Sequence, residues 1–237
     1  MTGEPIDHDR QRAGRAALRT PRAAAFAGIV FSVLLISSLV LLRVSTPANP
    51  GNAGTWLTDS GRRAAVSIAL NLVPFAGIAF LWFIGVIRDR IGGREDRFFA
   101  TVFLGSGLLF VGMLFVAAAV AGGIIMASAS ASRSSGVPGA DILALGRNAT
   151  SILLNVYAMR MAAVFTLTTV TIARRTAIVS RWLVAAGVVT AVVLLFGVGI
   201  SAWVELLFPL WVLALSIDIL AVGPSASRGA AGAAAQS

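Results

Sequence analysis

Residues 151–175 read SILLNVYAMRMAAVFTLTTVTIARR, and this stretch decides the fold. Over the roughly 20 residues that a helix needs to cross a bilayer, it carries a single charge before two arginines close it. At about 100° per residue, Ser151, Asn155, Ala158, Ala162, Thr166, Thr169 and Ala173 fall on one narrow face. Small residues in that pattern let another helix approach closely in lipid. Arg160 projects from the opposite face, with Tyr157 and Val164 beside it. A helix with a tight face and a charged back is expected to be buried on both sides, at the centre of a bundle.

Five more apolar stretches surround it. The expected fold is all-α, a polytopic transmembrane bundle of six helices with both termini cytoplasmic. The spans are expected at 23–42, 64–87, 98–126, 151–173, 183–200 and 203–221, within one domain covering 23–222. Residues 1–22 form a basic cytoplasmic tail. Residues 223–237 are Ala/Gly/Ser low complexity and are expected to be a disordered cytoplasmic tail. Thr20-Pro21 reads as an N-cap followed by Pro in the first helical position. The third span repeats Gly105, Gly112 and Ala119, and is too long for a perpendicular crossing. It is expected to tilt, to break near Gly122-Gly123 or to extend past the bilayer. The fifth span has almost no polar atoms and is expected to face lipid. A turn near Gly199–Ala202 separates it from the sixth.

Arginine placement sets the direction of each crossing. Thirteen arginines (10, 12, 15, 19, 22, 88, 90, 94, 97, 174, 175, 181 and 228) lie in segments read as cytoplasmic. Five (43, 62, 63, 133 and 147) lie outside. All nineteen basic residues are Arg, and Ala, Gly and Val are heavily used, which points to a GC-rich bacterial genome and a plasma-membrane location. Of the chain, 57% is apolar and 12% charged, against about 45–50% and 25% in soluble domains. The formal charge of +9 sits beside the spans, so an anionic lipid surface explains it better than nucleic acid. There is no Cys, and His8 in the tail is the only His. No metal or cofactor is expected on that basis.

One polar constellation stands out. Arg160 lies about nine residues into its span, and side chains lean toward a helix's N-terminus, so its guanidinium should rise into the outer half of the bilayer. Glu205, Asn71, Tyr157 and Asn155 are expected at compatible levels. An ionisable group inside a membrane is a functional-site hypothesis by default. Arg160, Glu205, Asn71 and Tyr157 could line an outward pocket for an anionic ligand or lipid head group. Alternatively, Arg160 and Glu205 form a structural pair. Asp218, near the inner end of the sixth span, is expected to pair with Arg174 or Arg175.

The segment from Gly85 to Arg94 resembles the loop between helices two and three of major facilitator transporters, matched by Gly85, Asp89, Arg90, Gly92 and Arg94. Gly93 departs from that pattern and the chain is half the length such a transporter needs, so no family follows. Gly105-Ser106-Gly107 resembles the nucleophile segment of rhomboid-type proteases, but position 104 is Leu and no membrane His could activate the serine. The expected function is therefore non-catalytic: a membrane-embedded binding or accessory subunit. Its partners would be membrane lipids and either a second protein or a copy of itself. The rival is a small transporter or channel for an anionic or amphipathic solute, working as a homo-oligomer.

Overall fold

A computed structural model describes residues 21–45, 59–91, 97–131, 140–176, 180–197, 201 and 203–234. Among these residues the chain is entirely helical. Helix α1 is Pro21–Ser45, α2 is Ser60–Ile91 and α3 is Arg97–Ala131. Helix α4 (Ala140–Ser151) continues through a π-helical segment (Ile152–Ala158) into α5 (Met159–Thr176). Helix α6 is Arg181–Phe196, and a short 3-10 turn (Val204–Leu206) leads into α7 (Leu207–Ala234).

Five helical stretches are long and apolar enough to cross a membrane: Arg22–Ser45, Ser60–Arg88, Phe98–Ala127, Leu143–Arg174 and Val204–Ala221. By length and composition they define a multi-pass membrane protein. The sequence led us to expect six. The sixth candidate, Arg181–Phe196, has 16 residues, about 24 Å of helix, and is shorter than the other five.

Each rod packs against the next in the chain, and α7 closes the ring on α1. Neighbours run antiparallel. Ser38 near the end of α1 donates to the carbonyl of Ala69 near the start of α2, at 2.8 Å. Gly107 of α3 lies against Ile84 of α2 and Phe165 of α5. Gly28 near the start of α1 abuts Ser216, toward the far end of the apolar Val204–Ala221 stretch. Short loops make sequential antiparallel packing the default.

The seams follow the small-residue logic. Along α2, Val66, Ala69, Val73, Ala76, Phe80 and Phe83 are all buried. Their alternating spacing of three and four keeps one face toward the neighbours. Inside the ring, Phe31, Phe80, Phe83, Phe103, Phe110, Phe165 and Phe208 are each less than 2% exposed. They come from five different rods. Phe80 alone touches the rings of Phe31, Phe83, Phe110, Phe165 and Phe208, at centroid distances of 4.5–6.0 Å. The axis of the bundle is thus filled with aromatic side chains.

Several expectations change. The fourth rod is helical from Ala140, eleven residues before its expected start at 151, and continues through the π-helical segment without interruption. It stands in the wall of the ring rather than on its axis, and Phe165 is what reaches the centre. Helix α3 runs 35 residues through Gly122-Gly123 without a break, about 52 Å, so it extends rather than bends. Helix α6 buries Leu183, Gly187, Thr190, Ala191 and Leu194 along one stripe and exposes only the other side. Helix α7 continues to Ala234, beyond the expected start of disorder. Alanine, abundant there, is the strongest helix former. The basic tail (1–20), the Ser-rich segment 132–139 and residues 199, 200 and 202 of the expected turn lie outside the described residues, as do 92–96 of the transporter-like segment.

Where α5, α6 and α7 meet, Gly187 carries the contact. A Cβ there would press into Val170 and lie 2.7 Å from Nε1 of Trp211. That indole donates to the Leu183 carbonyl at 3.2 Å. Gly187→Leu should therefore separate α6 from both neighbours and cost about 1–3 kcal/mol, read as a lower midpoint of unfolding in detergent.

Candidate functional site

The structure does not assemble the expected pocket. Glu205, only 4% exposed, accepts a hydrogen bond from Nη2 of Arg43 at 2.8 Å. The pair ties the end of α1 to the turn that starts the last span. Leu39, Trp203 and Leu206 line the pair, which buries Glu205 and leaves the Arg43 side chain 37% exposed. The expected Arg160–Glu205 pair is thus replaced by Arg43–Glu205. The reason lies in topology: α1 is the neighbour of α7 in the ring, and the end of α1 meets the start of the last span. Sequence distance hid this, since the partners are 162 residues apart.

The other expected members satisfy themselves locally. The Asn71 side-chain amide donates to the Ser67 carbonyl at 2.8 Å on the exposed side of α2. Asn155 donates to the Ser151 hydroxyl at 3.1 Å. Tyr157 is 53% exposed. Asp218 accepts the Ser180 hydroxyl at 2.7 Å and its backbone N–H at 3.3 Å and makes no ion pair with Arg174, while the Arg175 side chain of the expected pair lies outside the described residues. A carboxylate at the start of α6 is favoured by the helix dipole. Ser106 is buried and donates to the Val102 and Phe103 carbonyls of its own helix. Among the described residues no three His, Cys, Asp or Glu side chains gather as metal ligands would.

Arg160 remains the unusual group. Its Nη1 donates to the Val156 carbonyl, one turn toward the helix start, at 3.0 Å. The side chain therefore leans as expected. The acceptor belongs to the π-helical segment, where the wider turn departs from the i to i−4 ladder. At that junction Met159 N–H bonds to Leu154, five residues back. Among the described residues Arg160 has no carboxylate partner.

Its surroundings define a strip. Over its most apolar 18 residues the Leu143–Arg174 stretch is 56% buried, more than the equivalent part of the other four long helices. Ala158, Ala162, Thr166 and Thr169 of the expected small-residue face are buried. The opposite side carries Tyr157, Arg160, Val164, Leu167, Thr171 and Arg174. Tyr157 and Leu167 are about half exposed, Arg174 is exposed and the rest are half-buried. Arg160 lies 13 residues after Arg147 and 14 before Arg174, about 20 Å from each. It is a mid-span cation on the outer wall of the bundle.

Comparison with protein-family models, curated proteins and solved structures finds no match for this chain.

Proposed function

We propose that the chain is a non-catalytic subunit of a membrane assembly, docking a partner helix on the α5 strip around Arg160. The observation that carries this reading is a mid-span guanidinium on the outer wall with no carboxylate partner among the described residues. Facing lipid, such a charge costs about 2.5–3.5 kcal/mol on insertion scales. A carboxylate from a neighbouring helix at the same depth removes that cost. A second copy is a poor donor. The carboxylates in this chain's own spans are Glu205 and Asp218, each engaged and each near an end of its span. The partner is therefore another protein with an Asp or Glu near the middle of a transmembrane helix.

The same proposal takes α6 as a sixth crossing of a bacterial plasma membrane, through a locally thinned bilayer. The antiparallel fit of α1 with α7 supports an even number of crossings and both ends on one side. The arginine excess makes that side the cytoplasm. Two features weigh against a transporter or channel path through one copy. The aromatic cluster fills the axis. The hydroxyls of Thr166, Thr168, Thr169 and Thr171 are spent on carbonyls of their own helix at 2.7–2.8 Å.

Native purification of the full chain in mild detergent tests the reading. The expected result is a stoichiometric protein partner, reduced about tenfold by Arg160→Gln with no change in elution volume of the subunit. A lone homo-oligomer, or full partner retention by Arg160→Gln, overturns it.

A further inference from the structure

We infer that the groove between α5 and α6 holds one anionic phospholipid, its phosphate on Arg174 and part of one acyl chain along the two helices. The groove is lined by Leu167, Val170, Thr171, Arg174 and Val188 and encloses about 380 Å³. That is within the range of small-molecule sites. Val170 forms its floor at 2% exposure, while Leu167 and Val188 stand half-open as walls. The Thr171 hydroxyl is engaged with the Leu167 carbonyl at 2.8 Å, so it adds little free polarity to the lining.

Polarity changes along the groove in one direction. Leu167 lies seven residues before Arg174, and Val188 lies seven after Arg181. Each interval is about 10 Å of helix. The groove thus runs from a cationic rim, where Arg174 and Arg181 sit at adjoining helix ends, to an apolar interior two turns into the span. Arg174 is exposed and has no ion pair among the described residues. An occupant with one anionic end and one apolar end matches this gradient. Free phosphate has no use for the apolar length. A protein helix is too thick: at about 10 Å across, a 10 Å length of it fills roughly twice the volume of the groove.

The groove takes in the far end of the same α5 strip, from Leu167, two turns beyond Arg160, to Arg174, about four turns beyond it; it does not rest on the partner reading, which turns on Arg160. The test uses the purified full chain in detergent and native mass spectrometry. Phosphatidylglycerol and phosphatidylcholine with identical acyl chains compete for the retained lipid. Phosphatidylglycerol should be retained about fivefold over phosphatidylcholine. Arg174→Gln should bring the two to parity, Arg174→Lys should keep the preference, and Arg160→Gln should leave it intact. Val188→Trp, on the exposed wall, should fill the groove and abolish retention of both. If that variant elutes as misfolded protein, Thr171→Leu provides the same block from the other helix. Equal retention of the two lipids by the unaltered chain overturns the site. So does an unchanged preference in Arg174→Gln, or displacement of phosphatidylglycerol by millimolar inorganic phosphate.

Discussion

Phe80→Ala should destabilise the bundle by about 3–5 kcal/mol, the largest loss expected from any single truncation. Phe80 is fully buried, and its ring contacts five other phenylalanines contributed by five helices including its own. In lipid the unfolded helices are also surrounded by hydrocarbon, so transfer from water contributes little. The loss comes from dispersion contacts left without partners. Four rods would have to move inward together to refill the space, so little relaxation is available. Phe26 is 69% exposed on the outer wall of α1, and Phe26→Ala should stay within about 0.5 kcal/mol. Titration of purified protein with sodium dodecyl sulfate, followed by helical circular dichroism, measures both. Similar midpoints for the two variants would remove the aromatic cluster as the centre of stability.

The second large effect concerns the Arg43–Glu205 pair, and it should be asymmetric. Arg43→Gln leaves a carboxylate at 4% exposure with no counter-charge, and breaking a buried pair in this way costs about 3–5 kcal/mol. Glu205→Gln leaves an arginine whose side chain is 37% exposed. That guanidinium can turn toward the head groups, so the cost should be nearer 1 kcal/mol. The double variant should be more stable than Arg43→Gln alone, because no charge is then stranded. A full double-mutant cycle in the same unfolding assay reads the coupling directly. Equal costs for the two single variants would mean that Glu205 is wetted and the tie between α1 and α7 is loose.

Much of the architecture was legible before any coordinates. Apolar length located the five long apolar helices to within a few residues at most ends, because a minimum crossing length is easy to see in a sequence. The exception is the fourth span. Its N-terminal extension, Ala140–Ser151, is polar enough to read as loop, yet it is helical and contacts α3. The small-residue face of α5 was also legible, since helical period alone sorts residues onto faces. For the same reason the sequence separated Arg160 from that face and gave the direction in which its side chain leans.

The candidate site was legible only as residue types. Sequence marked Arg160 and Glu205 as costly charges in a membrane, and opposite signs made them natural mates. The ring order assigned Glu205 to Arg43 instead. An arginine counted as a topology signal at the end of α1 is in fact the partner of a buried acid. Asp218 went to Ser180 for a similar reason, because the start of α6 presents unpaired N–H groups that a carboxylate satisfies at short range.

What the chain's residues determined alone was therefore one-dimensional: where each helix runs, which face is small, and where charge sits along it. Period and length act locally, and each helix obeys them without reference to the others. Which helices are neighbours was decided only in three dimensions, by close packing around the seven phenylalanines. That packing paired Arg43 with Glu205, closed the axis and left Arg160 on the outer wall. No local rule could have anticipated this, because the contacts that select it join residues on different rods.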